Sequence, residues 1–241
     1  MISILYYILA LSMGFVTLLL GAIITPFSLL FNGRRRALHE MTRAVTRAFF
    51  TIIFTWRKSI SGFENIDKNR SYVIVANHQS MIDILAIYYI PLHFKWVSKR
   101  EVYFIPMFGQ YLWLQGNITI DRKSGVASME KILNMGTKWL SEGVSIVIFP
   151  EGTRSKSGEI GRFKAGAFNL AAEAGVDILP VVMDGTSSLF KGKLSFNWRN
   201  KLTVKVLPAI PAEQVVNSDL KELMGRVKSD MVDALKSIRE E

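Results

Sequence analysis

The segment Asn77-His78-Gln79-Ser80-Met81-Ile82-Asp83 carries the sharpest chemical signal in this chain. A histidine becomes a competent base when a carboxylate holds one ring nitrogen and stabilises the imidazolium formed as the other takes a proton. The pair His78 and Asp83, spaced as His-x-x-x-x-Asp, offers that chemistry to a weak nucleophile such as a hydroxyl. The same residues admit a structural reading. Ser80-x-x-Asp83 fits a capping box, with Ser80 as N-cap and Asp83 at the third helical position. Spacing leaves both readings open, and both can hold, because a capped helix would fix where Asp83 points. Two further polar clusters stand out. Pro150-Glu151-Gly152-Thr153-Arg154-Ser155 joins a carboxylate, a glycine and an arginine. Arginine forks onto phosphate oxygens and glycine lets backbone approach a ligand closely, so this loop suits a phosphorylated, hydroxylated molecule. It is not a P-loop, because G-x-x-x-x-G-K-[ST] is absent. Gly116-Asn117-Ile118-Thr119-Ile120-Asp121-Arg122 ends in an Asp–Arg pair, which fits a solvated turn equally well.

These clusters need elements to position them, and the surrounding pattern supplies strands. Short β-rich runs are expected at 58–63, 72–76, 94–98, 118–120, 144–149, 178–183 and 202–207. Helical patterns lie between and after them, at 80–89, 106–114, 124–141, 165–174 and 218–239. Alternation of this kind predicts an α/β fold, a single mainly parallel sheet flanked by helices. Tyr72–Ala76 and the 144–149 run are almost wholly apolar, as strands buried on both faces should be. In parallel sheets, sites gather beyond the carboxyl ends of strands, and the three polar clusters fall there. Leu220, Leu223, Val227, Met231, Leu235 and Ile238 recur at helical spacing and predict a core-facing stripe. The segment from Arg100 to Trp113 is rich in aromatics and poor in charge. A buried helix and a membrane-facing rim explain it equally well.

The chain has 241 residues, 49% of them hydrophobic against 21% charged, so its apolar residues must be concentrated. Much of that concentration lies between Ile2 and Phe31, where no side chain is charged. As a helix, such a stretch extends about 45 Å against a hydrocarbon core of about 30 Å. It lacks the basic n-region and small-residue cleavage site of a signal peptide, so an uncleaved anchor is expected. Arg34, Arg35, Arg36, Arg43, Arg47, Arg57 and Lys58 follow, against the single acid Glu40. Placed beside an apolar stretch, this cluster predicts headgroup contact and a cytoplasmic continuation. The expected organisation is a membrane anchor over 1–57, with a basic flank, and an α/β domain over 58–241. Net charge is +10; because the best basic patch is tied to lipid, nucleic acid is not expected as a partner. The chain has no cysteine, which excludes disulfides and thiolate metal sites, and with three histidines a His-based zinc site would need help from carboxylates. His39 and His93 are expected at the surface or the interface.

Taken in order, Asn-His-Gln-Ser-x-x-Asp, Gly-x-x-x-Ile-Asp-Arg, Phe149-Pro-Glu-Gly-Thr-Arg-Ser155 and Leu179-Pro-Val181 resemble the four motif blocks of the 1-acylglycerol-3-phosphate acyltransferases, within the glycerolipid acyltransferases. Ile105-Pro106-x-x-Gly109 and Phe163-Lys164-x-Gly166-Ala-Phe168 add to the likeness, which covers roughly residues 59–207. The resemblance implies transfer of a fatty acyl group from acyl-CoA or acyl-carrier protein to the 2-hydroxyl of lysophosphatidic acid, giving phosphatidic acid for phospholipid biosynthesis. It implies His78 as general base and Asp83 as its orienter. Glu151, Gly152, Thr153 and Arg154 would shape the acceptor pocket, and Arg122 and Arg154 with Lys99 would hold the phosphate. No metal or cofactor is implied. The setting would be a membrane, with the catalytic domain on its cytoplasmic face, most simply a bacterial inner membrane. Backbone N–H groups near Gly152 are expected to serve the tetrahedral oxyanion. The lack of cysteine and of a G-x-S-x-G elbow favours direct transfer over an acyl-enzyme. The alternatives are the same chemistry on glycerol 3-phosphate or another lysophospholipid, a hydrolase, or a non-catalytic binder of anionic lipid.

Overall fold

The computed structural model describes residues 2–31, 35–52, 57–106, 108–121, 123–189 and 200–240. Its centre is β2 (Tyr72–Ala76), every residue of which is buried. β5 (Ser145–Ile148), equally buried, flanks it on one side and β6 (Asp177–Asp184) on the other. With β1 (Arg57–Ser61), β3 (Phe94–Lys99), β4 (Ile118–Ile120) and β7 (Lys201–Val206), they form a seven-stranded sheet in the order β1-β7-β6-β2-β5-β3-β4. All neighbours run parallel except β6 and β7. The expected mainly parallel α/β sheet is present, with each of the seven expected strands in it.

Side chains alternate across a strand, so β2 feeds two cores. Tyr72, Ile74 and Ala76 join Phe50, Ile87, Tyr88 and Trp96 on one face. Val73 and Val75 join Phe168, Leu170, Val227 and Met231 on the other. The second face is covered by α5 (Gly125–Ser141), α6 (Gly166–Ala174) and α8 (Leu220–Glu240). In α8 the residues Leu223, Val227, Met231, Leu235 and Ile238 are buried, as their spacing predicts. A short helix, α7 (Ala212–Asn217), was not expected. It is too brief to show a period, and the Asp177 carboxylate holds its first N–H at 2.8 Å from across the fold.

The first face is closed by α3 (Asp83–Ala86), a 3-10 turn over Ile87–Tyr89, and α2 (Arg36–Ile52). α3 is shorter than the expected 80–89 helix because Ser80–Ile82 form the turn that precedes it. α2 is tied into the domain rather than facing headgroups throughout. Arg43 donates to the Leu92 carbonyl at 2.9 Å, and Arg35 donates to the carbonyls of Trp113 and Leu114 at 2.9 and 2.6 Å. These two arginines therefore correct the expectation that the whole basic cluster meets lipid. His39, expected at the surface or the interface, is only 2% exposed. Arg34 and residues 53–56 lie outside the described residues.

α1 (Ile2–Phe31) precedes this body. The expected membrane-anchoring helix is not supported: among the described residues, no helix is long and apolar enough to cross a membrane. Over its described side chains, α1 lies along the protein. Thr17 and Thr25 are turned inward, and a Cβ added at Gly21 would sit 3.0 Å from the Tyr111 ring. That ring belongs to α4 (Phe108–Leu114). A 3-10 turn over Arg100–Phe104 leads into α4, and the chain folds back so tightly that a Cβ at Gly109 would lie 2.0 Å from the Tyr103 carbonyl oxygen. This segment is neither wholly buried nor wholly exposed. Leu112 points inward at 5% exposure, whereas Phe104 and Trp113 are 73% and 70% exposed.

Candidate active site

The site begins where β2 ends. Asn77 brackets Met183 of β6, donating to its carbonyl at 2.8 Å and accepting its N–H at 2.7 Å. The next residue, His78, is clamped at both main-chain groups: its N–H donates to Glu151 at 3.0 Å and its carbonyl accepts the Ser155 N–H at 2.7 Å. Its ring stacks on Phe149 with centroids 4.0 Å apart and planes 8° from parallel. Backbone and ring are thus fixed independently, which is what a general base needs.

Nδ1 of His78 lies 2.8 Å from Oδ2 of Asp83. The same oxygen accepts the N–H groups of Gln79 and Ser80 at 2.6 and 2.7 Å. The other oxygen accepts the Thr186 hydroxyl. A carboxylate so surrounded by donors acts as an acceptor toward His78 as well. The imidazole proton then sits on Nδ1, and Nε2 keeps the lone pair. The expected capping box is not formed: Asp83 is the first helical residue rather than the third, and the N-cap is Ile82, with no side-chain cap, rather than Ser80. Asp83 reaches back to the Ser80 N–H, while Ser80 Oγ accepts from Ile82 at 3.3 Å. One carboxylate both shapes the turn and orients the ring.

His78 opens onto a cavity of about 520 Å³, within the range of small-molecule sites. Ile84, Val97, Ile132 and Ile148 make much of its wall apolar. Of the expected substrate-binding residues, Lys99, Gly152, Thr153 and Arg154 line this cavity. Glu151 does not. The residue is 8% exposed, and its carboxylate is held by the N–H groups of His78 and of Gly161, the latter at 2.8 Å. It braces two loops behind the wall. Arg122 lies outside the described residues. Lys164 lines the cavity too, and no signal beyond the Phe-Lys-x-Gly segment pointed to it. Gly152 takes φ +70°, and a Cβ there would come 3.0 Å from Lys164 Nζ. The Gly152 N–H, a candidate oxyanion donor by sequence, is already committed to the Phe149 carbonyl at 3.0 Å. Among the described residues, no group of three or more His, Cys, Asp or Glu side chains could hold a metal ion.

This geometry has relatives. A family model described as Acyltransferase matches residues 57–184. A 1-acyl-sn-glycerol-3-phosphate acyltransferase of Chlamydomonas reinhardtii is 35% identical over 82% of this chain and 58% of its own length. The human 1-acyl-sn-glycerol-3-phosphate acyltransferase alpha is 32% identical over 76% of this chain and 65% of its own. The chain thus spans about three-fifths of the length of the curated relatives it matches. Among solved structures, the 1-acyl-sn-glycerophosphate (LPA) acyltransferase PlsC of Thermotoga maritima superposes with a TM-score of 0.80 at 25% identity. That likeness covers 100% of this chain and 95% of the other. The family match takes in more than half of the chain and encloses His78, Asp83 and both polar loops, so the chain belongs to the acyltransferase family.

Proposed function

We propose that this protein esterifies the 2-hydroxyl of 1-acyl-glycerol-3-phosphate with a fatty acyl group from acyl-CoA or acyl-carrier protein, producing phosphatidic acid. The observation that carries the reading is the His78–Asp83 contact of 2.8 Å at the mouth of a largely apolar cavity. Nε2 of His78 takes the proton of the acceptor hydroxyl as its oxygen attacks the thioester carbonyl. The tetrahedral intermediate collapses, the carbon–sulfur bond breaks, and the departing thiolate recovers the proton from the imidazolium. No acyl-enzyme is needed. Asp83 stabilises the imidazolium between these steps and keeps its proton on Nδ1.

Lys99 and Arg154 share the cavity with His78 and are suited to the acceptor phosphate, with Arg122 as the third cation. Gly152 and Thr153 form wall, and Glu151 keeps the His78 main chain in place. The apolar wall suits an acyl chain. Residues 58–241 are the catalytic domain, and residues 1–57 join it to lipid on the cytoplasmic face of a membrane. Supporting that setting, Phe15, Leu19 and Ile23 of α1 are 52%, 48% and 62% exposed, and Phe104, Ile105 and Trp113 add an apolar rim beside the cavity. Exposed apolar area on this scale marks an interaction surface.

The test is esterification of lysophosphatidic acid in mixed micelles, with long-chain acyl-CoA and then acyl-carrier protein as donor. Phosphatidic acid is followed by mass spectrometry for wild type and His78→Ala. Wild-type product and a loss of roughly 10²–10⁴-fold in the variant is the expected result. Free fatty acid as the main product, or no product with either donor, would refute the assignment.

A further inference from the structure

We propose that Thr186 is a positioning residue of the dyad: its hydroxyl holds the Asp83 carboxylate in the orientation that presents Oδ2 to His78. This rests on the reading of His78 as base. Asp83 is 0% exposed, so water cannot replace a lost donor. Its two oxygens are served from different parts of the chain. Oδ2 is held by its own loop, through His78, Gln79 and Ser80. Among the described residues, Oδ1 has one donor, the Thr186 hydroxyl, which reaches it from beyond β6. A carboxylate can only accept, so the hydroxyl must donate. Serine can do the same and valine cannot.

Thr186 is itself 0% exposed and is absent from the cavity wall, so it acts through Asp83 and not on substrate. Its placement is rigid. Gly185 takes φ +89°, and a Cβ there would lie 1.9 Å from the Lys201 carbonyl oxygen. The Asn200 amide closes the turn onto the Gly185 carbonyl. Two more bonds join this turn to the dyad loop: Gln79 donates to Asp184 at 3.2 Å, and Ser187 donates to Gln79 at 3.4 Å. Within the turn itself, among Asp184, Gly185, Thr186 and Ser187, it is Thr186 that hydrogen-bonds Asp83. With its hydroxyl gone, the carboxylate turns so that Oδ1 competes for the Gln79 and Ser80 N–H groups, and the bond to Nδ1 loosens. The other charged groups around the dyad stay in place. They are Glu151 at the His78 N–H, Lys99, Glu101, Arg154 and Lys164 on the cavity wall, and Asp184 behind Gln79, paired with Arg239 at 3.3 Å.

The experiment compares wild type, Thr186→Val and Thr186→Ser in the full-length protein. Expected for Thr186→Val is a fall in kcat of about tenfold, in keeping with loss of one hydrogen bond to a charged group. KM for acceptor and donor should stay within about twofold, and Thr186→Ser should keep most of the activity. The hydrogen-bonded Nδ1–H proton of His78, followed by NMR, should move upfield in Thr186→Val, because its bond to the Asp83 carboxylate loosens. Wild-type kcat in Thr186→Val, a loss confined to KM, equal damage in Thr186→Ser, or an Nδ1–H signal that keeps its wild-type position would each overturn the proposal. The NMR readout needs no acyl transfer. A wild type inactive on lysophosphatidic acid would therefore sink the proposed reaction while the role of Thr186 is still decided.

Discussion

His78 and His39 are both largely withdrawn from solvent, yet their surroundings have opposite sign. The His78 side chain, 13% exposed, meets a carboxylate at 2.8 Å and a cavity. His39, 2% exposed, lies 3.0 Å through Nε2 from the Leu92 carbonyl, with its ring 4.9 Å from that of His93. Burial first, then His93, Arg43 and Lys95, push its pKa well below 6.5, so it stays neutral and structural. Lys95 belongs to the same region. Burial, then Arg35, pushes its amine down to about 7, against an opposing pull from Glu142. It donates to the Gln115 carbonyl at 2.7 Å and lies 5.1 Å from the centre of the Trp139 ring. The lesson is that burial alone does not make a base. A carboxylate partner and an opening to substrate do, and cationic neighbours remove the possibility.

The largest expected effect sits on the carboxylate. Asp83→Asn should lower kcat by roughly 10²–10⁴-fold while the protein still folds, as read by steady-state rates beside a melting curve. An amide in place of the carboxylate gives Nδ1 the wrong partner and destabilises the imidazolium. Next comes the wall of the cavity. Arg154→Ala should raise KM for lysophosphatidic acid by about 10- to 100-fold, the worth of a charge-assisted hydrogen bond, with kcat changed far less. An unchanged KM would take the phosphate away from Arg154.

Lys95 sharpens the other side of the comparison through stability. Its folded pKa of about 7 lies below the 10.5 usual for a lysine in water. Between those values the unfolded chain binds more protons, so stability rises with pH, by up to about 1.4 kcal/mol per unit. Lys95→Met should flatten that slope in urea unfolding measured at pH 7 and pH 9. A slope identical to wild type would mean that other groups set it. Smallest of all is His39→Leu, expected to leave kcat within about threefold, since surface-like tolerance does not apply but the ring touches no substrate. Should it abolish activity in a folded protein, the contrast between the two histidines breaks.

Much of this was legible beforehand for a physical reason. Periodicity and short-range spacing report on local structure. The apolar run of β2, the stripe on α8 and the His-x-x-x-x-Asp pair each depend on residues a few positions apart. Expectations failed where the partner is distant in sequence. Glu151 looked like a pocket residue but turns its carboxylate to His78 and Gly161. Arg35 and Arg43 looked like headgroup contacts but bind carbonyls of Trp113, Leu114 and Leu92. The uncharged stretch of α1 looked like an anchor by length, yet its described part is packed against Leu38 and Tyr111.

The sequence by itself determined the parallel α/β frame, the strand ends at which polar clusters gather, and the histidine and carboxylate proposed as the dyad. Those properties follow from backbone periodicity and from which side chains can move a proton. Only the tertiary structure decided which polar atoms remain free to meet substrate. A buried donor or acceptor must find a partner, and the fold commits Glu151 to the His78 and Gly161 N–H groups, the Gly152 N–H to Phe149 and the Thr186 hydroxyl to Asp83.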